Sequence, residues 1–125
     1  IELNPGTVRR QSSMGRRIVY GDVTNPDVLE SAGVREADAI ILSIPDEDAA
    51  MRACPVIRRM NPGIFIAART NYLSQAMAVQ GAGADHVVVE EMATALTMER
   101  EVLARLEYRR SAQQRAANAA PSAPA

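Results

Sequence analysis

The 125-residue chain is 47% hydrophobic and 23% charged, a balance that suits one globular domain with a modest core and excludes a disordered polymer. Its formal net charge of −1 provides no broad basic field, so nucleic acid is excluded as an expected partner. All of the basic residues are arginine and none is lysine, which removes any lysine Schiff base, lysine general base or P-loop lysine.

In chain order, short β-rich runs stand at residues 1–3, 17–20, 39–44, 64–68 and 86–89, separated by helix-sized segments. The runs at 39–44 and 64–68 are continuously apolar, a pattern expected of parallel strands covered on both faces. A helix is expected after Asn4-Pro5, and a short one over 25–32, where Asn25, Pro26 and Asp27 supply a cap, a first-turn proline and an acid, and Gly33 closes it. Acids at 46–48 open a further helix that should run to about Met60 before Asn61-Pro62-Gly63. Pro55 is expected to kink that helix or to start a second one. Residues 71–80 form the next helix and residues 90–107 the last. From about 109 to 125, alanine, glutamine, serine and proline offer little to bury, and a disordered tail is expected. Alternating strands and helices with short connections specify a doubly wound α/β fold.

The single cysteine, Cys54, excludes an internal disulfide and a thiolate zinc site, consistent with a reducing compartment. No apolar run is long enough to cross a bilayer. Ile1 sits inside an apparent strand rather than following a start methionine, so the amino end reads as a cut through a larger protein.

Ligands of doubly wound sheets bind beyond the carboxyl ends of the strands. At the first such end, Glu2 stands where a carboxylate accepts from ribose hydroxyls, although an acid there also stabilises the following helix. At the second, Gly21 permits close approach and Asp22 points toward the crevice, or bonds with Thr24 to its own loop. Further ends are Ser43-Ile44-Pro45-Asp46, Ala68-Arg69-Thr70 and Val89-Glu90-Glu91. Arg69 suits a two-pronged grip on phosphate or a surface ion pair. Glu91 suits a ribose, a cation or the cap of the last helix. His86, without histidine or cysteine companions, is expected to be an exposed or paired side chain and not a metal ligand. Cys54 is expected to pack, and the arginine pairs 9–10, 16–17, 58–59 and 109–110 to be solvated.

Taken together, Ile1-Glu2-Leu3-Asn4, Gly21-Asp22-Val23-Thr24, Leu29-Glu30-Ser31-Ala32-Gly33, Ala37-Asp38-Ala39, Ala68-Arg69 and Gly83-Ala84-Asp85-His86-Val87-Val88 resemble the TrkA N-terminal domain, also called the regulator of potassium conductance (RCK) domain. The resemblance is strongest to the version attached to Kef-type cation/proton antiporters and spans about residues 1–107. It implies a Rossmann-like fold over 1–108 that binds an adenine nucleotide (AMP or ATP) or NAD(H), pairs as a homodimer, and regulates a membrane cation transporter on the same or another chain. The implied location is the cytoplasmic face of the bacterial inner membrane, and the implied role is regulatory, not enzymatic. The resemblance places Glu2 as the ribose-binding acid, Asn4 as the polar residue beside it, Asp22 and Val23 on the adenine side, and Glu91 as the acid after the last core strand. Arg69 joins them as a candidate contact.

The family's opening strand and G-x-G-x-x-G turn have no counterpart here, so the first βα unit is missing. In the strand order 3-2-1-4-5-6 the gap is central, and the remaining strands should form two pieces with unpaired edges. The alternative function, a fragment of an NAD-dependent oxidoreductase, lacks an acid or base: no Tyr-x-x-x-Lys pair exists, and the histidine begins a strand. A response-regulator receiver would need a lysine.

Overall fold

A computed structural model describes residues 1–119. The chain divides into two units, Ile1–Glu90 and Glu91–Ala125. In the first, strands β1 (Ala39–Leu42), β2 (Phe65–Thr70) and β3 (His86–Val89) form a parallel sheet in the order β1-β2-β3. Ala39 is level with Phe65 and Leu42 with Ala68; Ala67 is level with His86 and Thr70 with Val89. The runs at 1–3 and 17–20 meet in one isolated parallel bridge, Glu2 with Tyr20, held by Glu2 N–H to Val19 C=O at 2.9 Å and Gly21 N–H to Glu2 C=O at 3.0 Å. The Rossmann-like sheet is therefore incomplete and in two pieces, as the missing first βα unit requires.

Local chemistry sets the helices. Asn4 Oδ1 accepts from Gly6 N–H at 2.8 Å and Thr7 N–H at 3.2 Å, capping α1 (Pro5–Ser13). Asn25 Oδ1 accepts from Asp27 N–H at 2.9 Å above α2 (Pro26–Ser31), and Gly33, at φ 80°, takes the left-handed turn that lets the chain leave it. Asp46 Oδ1 accepts from Ala49 N–H at 3.0 Å and opens α3 (Glu47–Met60). That helix is continuous through Pro55, contrary to the expectation of a second helix. Pro55 is exposed, whereas Ala50, Ala53, Cys54 and Ile57 face the core, so the hydrogen bond that the ring deletes is on the solvent side. Helix α4 spans Leu73–Gly81.

The core joins Leu29 of α2, Leu42, Ile66 and Ala68 of the sheet, Ile57 and Cys54 of α3, and Val79 of α4. Full burial of an aliphatic side chain contributes about 1.5–3 kcal/mol. Burial corrects the expectation that the strands are covered on both faces: along β2, Ile66, Ala68 and Thr70 are buried and the residues between them are less so, while Ile41 of β1 is 75% exposed. In the first unit, α3 and α4 pack against the sheet, and only one of its faces is buried.

A polar clamp fixes the amino ends of β2 and β3. Asp85 Oδ2 accepts from Ile66 N–H and from Arg58 Nη2, both at 2.8 Å. Arg58 also donates to the carbonyls of Ile64 at 2.7 Å, Gly83 at 3.0 Å and Pro62 at 3.1 Å. Arg58 is thus not a simple solvated arginine: its five-donor fork gathers carbonyls from the two loops that precede β2 and β3. Asn61 adds a second tie, donating through Nδ2 to Val34 C=O at 3.0 Å and Ala37 C=O at 2.9 Å. His86 is exposed and Cys54 is buried, where desolvation raises its thiol pKa.

In the second unit, helix α5 (Glu90–Ala119) continues past the expected end near 107. Residues 109–119 are helical rather than disordered because alanine, arginine and glutamine rank among the strongest helix formers and no proline intervenes before Pro121. Residues 120–125, the rest of the expected tail, lie outside the described residues.

Truncating Ile66 to alanine should cost about 2–5 kcal/mol, read as a lower denaturation midpoint at unchanged m-value; a loss under about 1 kcal/mol would show that Ile66 does not pack at the centre of the core. The Ile66 N–H, and then the Arg58 guanidinium, hold the Asp85 carboxyl below its ordinary value of 3.8. A depressed folded value means that this stabilisation is complete above about pH 4 and fades as pH falls through the folded value. Asp85→Asn should therefore destabilise the protein at neutral pH and flatten the acid limb of its stability curve; an unaltered acid limb would place the acid sensitivity elsewhere.

Candidate functional site

A cavity of about 580 Å³ opens where the two pieces of the sheet face each other. One wall is Ile1, Glu2, Leu3 and Asn4 with Gly21, Asp22 and Val23; the other is the loop after β1, from Ser43 to Asp46, with Ala49 and Arg52 of α3. These are strand carboxyl ends, where a doubly wound sheet accepts ligands, and the volume lies within the usual range for small-molecule sites.

Each carboxylate in the cavity is steadied by its own loop. Glu2 Oε1 accepts from Asn4 N–H at 2.8 Å, which holds the side chain over the start of α1. Asp22 Oδ1 accepts from both the N–H and the Oγ1 of Thr24 at 2.8 Å. Those two bonds, the backbone one first, lower the Asp22 pKa, so the group is ionised at neutral pH. Asp46 spends Oδ1 on the α3 cap. In all three the second carboxylate oxygen accepts no hydrogen bond within the first unit and remains for a ligand donor. Gly21 shapes the floor: its φ is 152°, and a Cβ there would come within 2.5 Å of the Val28 side chain, so only glycine lets this loop lie against α2.

The cavity thus sets carboxylate acceptors at two neighbouring strand tips beside the apolar surface of Val23, Ile44 and Pro45. The lining does not include a run of glycine amides that would cradle phosphate, because the cavity's only glycine is Gly21.

The cavity brings together four of the residues singled out in the sequence: Glu2, Asn4, Asp22 and Val23. The Asn4 carboxamide oxygen is committed to the α1 cap, leaving its nitrogen for other contacts. Arg69 is not among the lining residues; its Nη1 pairs with Glu90 Oε2 at 2.9 Å. Glu91 begins the second unit. Arg52 was not singled out from sequence, because a mid-helix arginine carries no motif; counting three positions on from Ala49 along the face that meets the strand tips would have found it.

Known proteins bear on this arrangement. Residues 1–90 match the TrkA-N domain family model. The chloroplastic K(+) efflux antiporter 3 of Arabidopsis thaliana is 32% identical over 102 residues, and the glutathione-regulated potassium-efflux system protein KefC of Cronobacter sakazakii is 28% identical over 106. The aligned regions are 82% and 85% of this chain but only 13% and 17% of those proteins. Among solved structures, the TrkA-N domain of the Escherichia coli inner membrane protein ybaL superposes with a TM-score of 0.74 at 30% identity, covering 79% of this chain and 73% of that one. The GsuK RCK domain gives a TM-score of 0.60 at 31% identity over 78% of this chain and 20% of that one. With the family match spanning the whole first unit and its cavity, the chain belongs to the TrkA-N domain family.

Proposed function

We propose that this chain is a regulatory nucleotide-binding domain that controls a potassium or other monovalent cation transporter, acting at the cytoplasmic face of the membrane. The observation that carries the reading is the presence of two loop-steadied carboxylates, Glu2 and Asp22, side by side on one wall of the cavity at adjacent strand tips. Glu2 accepts from the ribose hydroxyls, Asp22 accepts from the adenine exocyclic amine, and Val23 with Ile44 and Pro45 covers the base. An acid at the Glu2 position also disfavours a 2′-phosphate, which points to AMP, ATP or NAD(H) and away from their 2′-phosphorylated forms. GsuK, whose RCK domain resembles this chain, has structures bound to ADP and to NAD, and the potassium-efflux relatives supply the transporter context.

Regulation follows from linkage: a nucleotide shifts a transporter only through its differing affinity for two states of the domain. The reading assigns no reaction to the chain. Among the described residues no helix is long and apolar enough to cross a membrane, and the membrane-embedded part of the system is assigned to other sequence.

A second copy of the chain is the proposed partner. Along α5, Met92, Leu96, Leu103 and Leu106 recur every three, four or seven residues on one stripe, and all four are exposed. Such a stripe is the surface that a paired helix would cover.

Two outcomes are expected. AMP, ATP, NAD or NADH should raise the melting temperature by mass action, and Glu2→Ala should weaken the best ligand by roughly tenfold. No shift with any of the four would remove nucleotide sensing, and an unchanged affinity in the variant would remove Glu2 from the site. Sedimentation equilibrium should give a dimer that Leu103→Glu converts to monomer, whereas an unaltered mass would show that α5 does not pair the copies.

A further inference from the structure

We propose that the turn closing α1, with Arg9, Arg10, Arg16, Arg17 and Met14, is a docking surface for an anionic lipid bilayer. The inference rests on the reading that places this chain at a membrane face, and it concerns a surface outside the cavity. Charge is unevenly divided along the chain. Between residues 3 and 21 stand four arginines and no acid, whereas the rest of the chain sets fifteen acids against ten arginines. The formal net charge of −1 therefore conceals one local basic patch, the pattern by which a protein is held to anionic headgroups beside a membrane.

The fold gathers these residues and leaves them open to solvent. Helix α1 has no buried residue, and Gly15, at φ 74°, folds the chain back over the helix end. Arg16 N–H donates to Gln11 C=O at 3.2 Å and Arg16 Nη1 to Gln11 Oε1 at 2.8 Å, which sets Arg16 and Arg17 beside the last turn, where Arg10 stands. All four arginines are exposed, and among the described residues none holds an ion pair, unlike Arg35, Arg58 and Arg69. Their guanidinium forks match the oxygens of a phosphodiester. Met14 follows Arg10 by four residues, the spacing of neighbours on a helix surface, and is 63% exposed. An apolar side chain ringed by guanidiniums suits the headgroup boundary, where arginine stems lie on apolar surface and their heads stay with phosphate. A polyanion such as nucleic acid would engage the arginines alone, whereas a bilayer also takes up the methionine. Asn4 lines the cavity at the opposite end of α1, roughly 13 Å away along nine helical residues, so lipid and cavity ligand have separate contacts.

Cosedimentation of the chain with vesicles of phosphatidylcholine alone, and of equimolar phosphatidylcholine and phosphatidylglycerol, tests this. The chain should bind the mixed vesicles, more weakly as salt rises, and not the neutral ones. Each patch arginine changed to glutamine should weaken partition by about fivefold, so that Arg16→Gln/Arg17→Gln loses roughly 25-fold while Arg59→Gln, at an exposed arginine elsewhere, loses nothing. Arg16→Lys/Arg17→Lys should retain most of the binding, and Met14→Ser should weaken it severalfold at an unchanged denaturation midpoint. Equal binding to both kinds of vesicle, an equal loss in Arg59→Gln, or no binding at all would overturn the proposal. So would a lipid-free association of copies that Arg16→Gln/Arg17→Gln abolishes, because the patch would then face a second copy. A chain that ignores vesicles yet is stabilised by a nucleotide loses the lipid surface alone; one that binds the mixed vesicles with no nucleotide shift keeps the lipid surface and loses nucleotide sensing.

Discussion

Parallel strands satisfy their main chain only through neighbours on both sides, and this sheet is interrupted at its middle. In one piece, Glu2 and Tyr20 share a single bridge; in the other, β1 pairs with β2 and its second edge is unpaired among the described residues. Among the described residues no strand joins the two pieces, and the cavity opens between them.

The two ends of the sheet then divide the labour. At the amino ends of β2 and β3, Arg58 and Asp85 bond to one another and to four main-chain groups. At the carboxyl ends, carboxylates are held by a single loop amide each and keep an oxygen in reserve. The first arrangement stabilises; the second positions acceptors at modest cost, since every steadying bond is local, to a residue two or three positions on.

Much of this was legible in the sequence. Asn4, Asn25 and Asp46 announce their helices because capping depends on a side chain and the amides two or three residues on, which a linear reading sees. The gap was legible too, since the strand order of the family puts the missing unit at the centre. Glu2, Asn4, Asp22 and Val23 could be placed because strand tips converge on one edge by topology. What escaped was long-range or conditional. Arg58 bonds with a residue 27 positions away, and no local signal distinguishes it from its neighbour Arg59. The exposed face of β1 escaped because apolar composition reports the sheet for which the strand is suited rather than the one it joins. The extension of α5 to Ala119 carries little apolar periodicity and rests on the helix propensity of alanine, arginine and glutamine. Arg52 escaped because a charge on a helix acquires meaning only when its face is known.

The central claim is that ligand binding is confined to the cavity between the two sheet pieces, and amide chemical shifts during titration with AMP examine it most directly. Binding there predicts that Asn4, Gly21 to Thr24 and Ser43 to Arg52 move together along one saturation curve, while Ala84 to His86 at the opposite end stay in place. Shifts confined to the amino ends of the strands, or none that saturate, would contradict it.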